Sequence, residues 1–307
     1  MKPPQSFDFL GNIALVKFPR EFKQSDRKRY ARELMSKNKS ITTVLEKVGK
    51  ISGRLRTPTT KWLAGKKTKE VLYRENGCVF RFNIDSTYFS PRLSNERKEI
   101  ASKIKKDEKV LVMFAGVSPF PIVIAKNSDA EKVYSNEINR EANKYGQLNI
   151  ELNKVKNKVE LLPGDIKRVA ERIDLLASLK IPPPSPTPPT RMKAVNQTLS
   201  LSDSLLLKFN KSDEQKRGAK FSPKFDVIVM PRPQLKDSFL KQAFQLSKKG
   251  TRIFYYDFCG VNEVQNIVEK IKAEALQAKK KIQIIKIKKA GEIAPYKIRL
   301  RVDFKLV

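Results

Sequence analysis

The chain has 307 residues, and its 64 lysine and arginine side chains against 32 acidic ones give a formal net charge of +32. This excess indicates a polyanionic partner such as a nucleic acid, although a lysine-rich genome raises the charge of every segment in the same way. Histidine is absent, which excludes the usual histidine-centred nucleophilic and metal sites and leaves acid–base chemistry to Asp, Glu, Lys, Tyr or Cys.

Two further features concern the compartment. No apolar run approaches the roughly 18 residues needed to span a bilayer, and residues 1–6 lack the apolar core of a signal peptide. The two cysteines, Cys78 and Cys259, are widely spaced and more typical of buried apolar positions than of a disulfide or metal pair. We therefore expect a cytoplasmic protein without a membrane partner.

The first 90 residues predict a small α+β module. Its expected elements are a strand over residues 11–19, a charged helix over 25–37, a short element over 42–48 and a hairpin that turns at Glu75-Asn76-Gly77. Between them, residues 54–62 are basic and contain the only tryptophan, Trp62. Charge beside an aromatic ring suits RNA contact, but Trp62 is as readily placed in a core.

Residues 109–125 (KVLVMFAGVSPFPIVIA) predict a buried strand, a tight turn at Gly116 and an apolar helix. A glycine there allows a sharp turn and a close approach of the backbone to a ligand. In open α/β sheets, nucleotides bind at this end of such a strand. The alternative is an ordinary strand-to-helix turn without a ligand.

Two later predicted strands also end on acidic residues. Residues 131–137 end at Glu137, about 20 residues after the glycine turn, which is the spacing at which such folds bind ribose hydroxyls. Residues 159–165 end at Asp165, which could meet an adenine amino group. The turn at Gly116 does not match the dinucleotide pattern G-x-G-x-x-G. Together these strand ends favour adenosine without a diphosphate, with S-adenosylmethionine as the candidate cofactor.

Several motifs, in order along nearly the whole chain, resemble the tRNA (guanine-37 N1)-methyltransferase family of archaea and eukaryotes. They are residues 11–17 (GNIALVK), 88–97 (YFSPRLSNER), 113–120 (MFAGVSPF), 136–139 (NEIN), 148–153 (LNIELN), 164–165 (GD) and 251–258 (TRIFYYDF). The resemblance implies a class I S-adenosylmethionine-dependent methyltransferase with a Rossmann-like sheet. It places a smaller α+β RNA-binding domain at residues 1–90, which helps to build the active site, and the methyltransferase domain at 91–307.

The same resemblance implies a reaction and a partner. The enzyme would methylate N1 of guanosine 37 in the tRNA anticodon loop and bind the anticodon stem-loop, with no DNA partner, as a monomer. Glu96 would be the general base, and Arg56 would stabilise O6 of the guanine. Arg97 would orient the cofactor and Glu96, and Tyr88 would pack beside the target base or the methionine. Without the resemblance, Glu96 and Arg97 would be assigned to a solvated helix start and Tyr88 equally to a core.

The remaining implied positions fall into two groups. The residues expected around the cofactor are Arg97, Phe114, Gly116, Glu137, Ile138, Asp165, Ile166 and Pro231. Those expected around the substrate are Tyr88, Arg92, Arg232 and Pro233, and no metal is expected.

Two departures from the family pattern concern substrate recognition. The family's additional amino-terminal domain has no counterpart in this sequence, so affinity for tRNA is expected to depend more on distributed charge. Residues 226–233 (DVIVMPRP) have Pro231 where the usual Asn-Leu-Pro motif has asparagine. This resembles an archaeal branch that also methylates a tricyclic wyosine precursor, which a pocket without the asparagine donor could admit.

The carboxyl-terminal half predicts an insertion at about 180–224, where the proline-rich residues 182–189 favour polyproline II and 199–209 a short helix. The sheet then resumes over 225–230 and 251–256, followed by a helix over 261–279. The strands 281–287 and 296–304 are expected to form its antiparallel edge. Two alternatives remain, which are an aminocarboxypropyl transferase of the wybutosine pathway and a non-catalytic tRNA-binding protein.

Overall fold

The structure is a computed structural model that describes residues 7–52, 57–178, 224–231, 235 and 237–307. Two compact units are distinguished, one made of Met1–Ile166 with Phe225–Val307 and the other of Lys167–Lys224. Of the second unit, the described part contains helix α5 (Ile166–Ser178), whose first residue belongs to the first unit. The predicted polyproline stretch and the predicted helix over 199–209 lie outside the described residues.

A four-stranded sheet opens the chain, in the order β1-β2-β3-β4. Its elements are β1 (Phe7–Leu10), β2 (Ile13–Val16), α1 (Gln24–Lys37), β3 (Thr43–Ser52) and β4 (Thr57–Gly65). Helix α1 buries Ala31 and Leu34 in a cluster with apolar residues of the sheet such as Val44. The predicted helix and strand are thus confirmed, and the undefined element over 42–48 is the start of strand β3.

A hairpin of β5 (Glu70–Glu75) and β6 (Cys78–Asn83) follows, as predicted. Asn76 and Gly77 at its turn have φ of 48° and 71°, the left-handed conformations that a two-residue type I′ turn requires. The free edge of β6 is paired by side chains rather than by a strand. Asn149, in the helix Arg140–Leu152, and Asn153, directly after that helix, each accept a hydrogen bond from a backbone N–H of β6 and donate one to a carbonyl of that strand.

A seven-stranded sheet forms the rest of the first unit, in the order β12-β13-β11-β10-β7-β8-β9. Its first elements are α2 (Ser94–Ser102), β7 (Lys109–Val112), α3 (Pro119–Asn127), β8 (Lys132–Glu137), α4 (Arg140–Leu152) and β9 (Val159–Pro163). The later ones are β10 (Phe225–Met230), α6 (Leu240–Gln245), β11 (Ser247–Gly260), α7 (Val264–Gln277), β12 (Ile282–Ala294) and β13 (Lys297–Leu306).

The strands β11, β10, β7, β8 and β9 are parallel, and β13 runs antiparallel to both β11 and β12. The chain proceeds from β7 to β8 and β9 on one side and then returns to β10 on the other. This reversal is the topological switch point at which open α/β sheets bind ligands. The class I methyltransferase fold and the antiparallel edge are therefore as predicted. Within the described ranges, no helix is long and apolar enough to cross a bilayer.

Candidate active site

The loop after β7 lies at the switch point and has an unusual backbone. Phe114, Gly116 and Ser118 have φ of 58°, 58° and 66°, so alternate residues adopt the left-handed conformation. A Cβ at position 116 would also lie 3.1 Å from the carbonyl oxygen of Tyr88. Glycine therefore satisfies both requirements, and the turn brings its backbone to the edge of an open cleft.

Glu137 ends strand β8 beside this loop. Its Oε2 accepts a hydrogen bond from the backbone N–H of Gly116 at 2.8 Å, and its Oε1 accepts from Ile138 at 2.9 Å and Asn139 at 2.8 Å. Burial raises the pKa of the Glu137 carboxyl, and the three backbone donors act in the opposite direction. Oε1 thus has both lone pairs occupied, whereas Oε2 can accept one further hydrogen bond, so Glu137 can bind a ligand hydroxyl in addition to holding the loop.

Side-chain hydrogen bonds link the end of strand β9 to the end of strand β8. The side-chain amide of Asn136 donates to the carbonyls of Leu162 and Gly164, at 2.8 and 3.1 Å. These bonds keep the ends of β8 and β9 together, with Asp165 directly beyond. The sequence prediction missed Asn136 as a link between the two strand ends.

A cleft of about 1080 Å³, including open space at its mouth, spans these strand ends. Its wall is mainly apolar and aromatic, and the only basic side chains among its described lining residues are Arg97 and Arg299. The lining residues are Tyr88, Phe89, Ser90, Leu93, Arg97, Phe114, Ala115, Gly116, Pro119, Phe120, Asn136, Glu137, Ile138, Asn139, Ala142, Gly164, Asp165, Ile166, Pro231, Leu235, Phe239, Phe258 and Arg299.

These residues fit S-adenosylmethionine. Glu137 offers Oε2 as an acceptor for a ribose hydroxyl, Asp165 lies at the next strand end for an adenine amino group, and apolar side chains can pack on the purine. The described wall has no cluster of basic side chains for a diphosphate. Within the described residues, no group of His, Cys, Asp and Glu could hold a metal ion.

Arg97 lines the cleft, but its guanidinium is already matched. It forms a bidentate ion pair with Glu75 of the hairpin and donates to the carbonyl of Ser90 at 2.9 Å. It also lies over the rings of Phe89 and Phe120, at 5.1 and 5.6 Å from their centres. Both side chains of the pair are 1–3% exposed. Arg97 therefore connects helix α2, the hairpin and the cleft wall.

Glu96 does not line the cleft. Its carboxylate accepts hydrogen bonds from Tyr256 Oη at 2.9 Å, Lys288 Nζ at 2.8 Å and Arg301 Nη1 at 2.5 Å, and the side chain is 5% exposed. Arg301 also pairs with Glu99 and Asp303. To act on a base in the cleft, Glu96 would have to exchange these partners. Its predicted role as the general base stays a prediction.

Of the other predicted site residues that the structure describes, most line the cleft. Tyr88, Phe114, Ile138, Ile166 and Pro231 line the cleft as expected.

One predicted residue lies elsewhere. Arg92 is on the surface with its guanidinium 3.6 Å from the Asp8 carboxylate, outside the cleft wall. Arg56, Arg232 and Pro233 lie outside the described residues, so their predicted roles stay predictions. Trp62, which the sequence placed equally in a core or at an RNA surface, is 37% exposed.

The sequence prediction also missed Phe239, Phe258 and Arg299. Phe239, with φ of 60°, packs edge-on against Phe114 at 4.9 Å between ring centres. Phe258 and Arg299 are directly opposite each other on β11 and β13. The alternation of basic and apolar residues in 297–301 (KIRLR) shows that Arg299 and Arg301 share one face, but not that this face continues into a ligand cleft.

The sheet order and the cleft at its switch point define a class I S-adenosylmethionine-dependent methyltransferase. Residues 71–177 match the model of the TRM5/TYW2 methyltransferase domain, and residues 2–68 match that of the TYW2 N-terminal domain. The chain belongs to the TRM5/TYW2 methyltransferase family, as its motifs indicated. The predicted domain division at residue 90 stays a prediction.

Two similar proteins, one of them also with a solved structure, extend this assignment. The tRNA (guanine(37)-N(1))/4-demethylwyosine(37)-methyltransferase Taw22 of Nanoarchaeum equitans is 32% identical over 317 residues, covering 98% of this chain and 100% of the relative. The tRNA (guanine(37)-N(1))-methyltransferase Trm5b of Pyrococcus abyssi is 40% identical over 171 residues, which span only 51% of its length. The crystal structure of wild-type Trm5b from P. abyssi has a TM-score of 0.71 at 29% identity and covers 99% of this chain and 75% of the other.

Proposed function

We propose that the protein transfers a methyl group from S-adenosylmethionine to N1 of guanosine 37 in tRNA. The observation that carries this proposal is the cleft at the switch point, with Glu137 and Asp165 at adjoining strand ends, in a chain aligned along its whole length with a relative named for this activity. The net charge of +32 supports a nucleic-acid substrate.

The chemistry follows from the structure of guanine. N1 of the neutral base carries a hydrogen, and its lone pair becomes available only when that proton leaves and negative charge spreads to O6. Bound S-adenosylmethionine supplies the methyl group, so an N1–C bond forms as its S–C bond breaks and a neutral thioether leaves. The protein therefore has to hold adenosine, accept the N1 proton and stabilise O6.

The first of these tasks is assigned to Glu137 for the ribose and Asp165 for the adenine amino group. Phe114, Ile138, Ile166 and Pro231 enclose the cofactor with apolar surface, and Arg97 fixes the wall through Glu75. Tyr88 packs beside the target base or the methionine. Arg92, Arg232 and Pro233 keep their proposed part in tRNA binding.

The second task is assigned to Glu96, on the condition that the carboxylate exchanges Lys288 or Arg301 for the substrate when tRNA binds. Its support is the motif of residues 88–97, in which the resemblance places the general base at Glu96. Arg56 is the proposed donor to O6. Extruding the base from the stacked anticodon loop costs on the order of a few kcal/mol, and phosphate contacts from lysine and arginine would offset this cost.

One experiment tests the proposal directly. The purified protein is incubated with a tRNA transcript containing guanosine 37 and with labelled S-adenosylmethionine, and the nucleosides are identified by mass spectrometry. We expect 1-methylguanosine at position 37 and none in a transcript with adenosine 37. Tight binding of tRNA without any methylation would favour a non-catalytic tRNA-binding protein. Transfer of an aminocarboxypropyl group would favour an aminocarboxypropyl transferase of the wybutosine pathway.

A second activity is proposed for the same cleft, which is carbon methylation of 4-demethylwyosine at position 37. Two observations favour it. The full-length relative is named for both substrates, and Pro231 lines the cleft without a side-chain donor or a backbone N–H. The test is incubation with tRNA carrying 4-demethylwyosine. An enzyme that methylates guanosine 37 but never this base lacks the second activity.

We also infer that the enzyme acts in the cytoplasm as a monomer and binds the anticodon stem-loop. Sedimentation of the free protein and of its complex with tRNA would determine both stoichiometries. A dimer in either sample would overturn the inferred monomer.

A further inference from the structure

Arg299 and Arg301 lie on the same face of β13 but have different surroundings. Directly opposite them on β11 are Phe258 and Tyr256. Arg301 is fully buried and is matched by three carboxylates, which belong to Glu96, Glu99 and Asp303. Within the described residues, Arg299 has no ion pair, and its guanidinium carbon lies 5.2 Å from the ring centre of Phe258.

Arg299 is therefore a cation on the cleft wall that no carboxylate of the described residues compensates. The other basic side chain of the described wall, Arg97, is matched by Glu75. A half-buried guanidinium without a counter-ion is poorly solvated, so its position favours a ligand that brings negative charge or hydrogen-bond acceptors. Such a ligand would bind the N–H groups of the Arg299 guanidinium, and the ring of Phe258 already packs against one face of this group.

The position of Arg299 in the sheet indicates which ligand it meets. It lies near the start of the antiparallel strand β13, and so at the same sheet edge as the carboxyl ends of the parallel strands. Four strand spacings separate β13 from β8, which places Arg299 roughly 19 Å from the strand carrying Glu137. The methionine chain beyond the ribose of the cofactor extends only roughly 7 Å. Arg299 thus lies at the end of the cleft that the substrate base enters.

We propose that Arg299 is a catalytic residue that donates hydrogen bonds to O6 and N7 of the target guanine and stabilises the charge that develops on O6. This deepens the proposed function and rests on it. Arginine is the side chain that most often contacts these two guanine atoms, because its two donors match their spacing. O6 has two lone pairs, so this contact is compatible with the role proposed for Arg56.

The test compares single-turnover methylation of tRNA with guanosine 37 by the wild type, Arg299→Ala, Arg299→Lys and Lys297→Ala. Lys297 is the matched control, because it is an exposed cation on the same strand and face. We expect Arg299→Ala to lower the rate roughly 10²- to 10³-fold, as for loss of one oxyanion donor. Arg299→Lys should recover part of the rate, and Lys297→Ala should remain within about twofold of the wild type.

The pH dependence of the methylation rate distinguishes a catalytic role of Arg299 from a purely structural one. If Arg299 stabilises the deprotonated guanine, its removal makes N1 harder to deprotonate, so the rate of Arg299→Ala should level off at a higher pH than that of the wild type. A variant that is slower by the same factor at every pH would overturn the proposal. Thermal unfolding of each variant identifies a folding defect, and Arg299→Lys then gives the readout on a folded protein.

Binding measurements distinguish the target guanine from two other possible ligands of Arg299, which are a tRNA phosphate and the carboxylate of S-adenosylmethionine. Wild-type enzyme should bind tRNA with guanine 37 more tightly than tRNA with 2-aminopurine 37, which lacks O6, and this preference should be smaller in Arg299→Ala, in which only Arg56 is left to contact O6. Equal weakening of both tRNAs with a lower salt dependence would indicate a phosphate contact, and loss of S-adenosylmethionine binding would indicate a contact with the cofactor carboxylate. Either result overturns the proposal. A wild type without methylation at guanosine 37 instead refutes the proposed function itself.

Discussion

At the scale of single residues, Glu137 combines two tasks that are usually separate. Three backbone hydrogen bonds use its carboxylate to hold the left-handed loop at Gly116 and the start of α4. Oε2 keeps one lone pair, and Glu137 lines the cleft where a ribose would bind. The loop is thereby fixed before the cofactor arrives, which reduces the ordering cost of binding.

Glu137→Ala should weaken S-adenosylmethionine binding by roughly 10- to 100-fold, the worth of one hydrogen bond to a charged group. Binding of tRNA should change much less, since phosphate contacts dominate it. Calorimetric titration with each ligand measures both affinities. Glu141→Ala, at a half-exposed carboxylate on the first turn of α4, is the control. Equal losses for both ligands together with a lower Tm would indicate a folding defect.

At the scale of elements, helix α2 is held from two sides by ion pairs. Glu96 and Glu99 are three positions apart and so lie on one face, where they meet Arg301 and Lys288 of the antiparallel edge. Arg97 is rotated about 100° from Glu96 and meets the hairpin through Glu75. We call the ion pairs of Glu96 and Glu99 with Arg301 and Lys288 the clamp. Together with the pair of Arg97 and Glu75, the clamp fixes the direction in which Arg97 enters the cleft wall.

Glu96→Gln and Glu99→Gln disturb the same clamp, but only Glu96 is the proposed base. We expect Glu96→Gln to lower single-turnover methylation by roughly 10²- to 10⁴-fold, the usual effect of removing a positioned base. Glu99→Gln should lower the Tm but leave the rate within about threefold of the wild type. Rates are measured at a temperature where both variants are folded. Similar rate losses in the two variants would mean that the network positions α2 and that Glu96 is not the base.

The clamp also predicts how stability depends on pH. The hydrogen bond from Arg301 is the main cause that lowers the pKa of Glu99 from its ordinary 4.5 to about 2. Because the pKa of the folded protein is lower than that of the unfolded chain, this stabilisation is fully present above about pH 4.5 and is lost as the pH falls toward 2.

Urea unfolding at pH 6 and pH 3 measures this effect. The wild type should lose more free energy of unfolding between the two pH values than Glu99→Gln does. Glu269→Gln, at an exposed carboxylate on α7, should behave like the wild type. An identical pH dependence in wild type and Glu99→Gln would show that this carboxylate does not contribute.

At the scale of the whole molecule, the charge of +32 should dominate the affinity for tRNA. Each phosphate contact releases counterions, so the logarithm of the binding constant falls linearly with the logarithm of the salt concentration. Between 50 and 200 mM KCl we expect the tRNA affinity to fall by at least roughly 10²-fold, the scale set by several such contacts. Filter binding measures it, with S-adenosylmethionine affinity as the internal comparison. A tRNA affinity insensitive to salt would contradict a charge-driven interface.

The sequence by itself determined most of the secondary structure, the sheet's antiparallel edge and the three strand ends at Gly116, Glu137 and Asp165. These features depend on residues close together in the chain, through apolar periodicity, turn chemistry and the spacing of acidic residues. The motifs then indicated the family and the cofactor, as the comparisons confirmed.

Only the tertiary structure decided which charged side chains are matched and which face the cleft. Glu96 and Arg301 are 205 positions apart, and their contact depends on the packing of α2 against the antiparallel edge. Glu96 and Arg97 are neighbours in one motif, yet the helix directs them to different surroundings. Arg299 and Arg301 look alike in the sequence. The sequence cannot show that only Arg301 is matched by carboxylates, because charge compensation depends on distance and burial in three dimensions. No local pattern in the chain records either quantity.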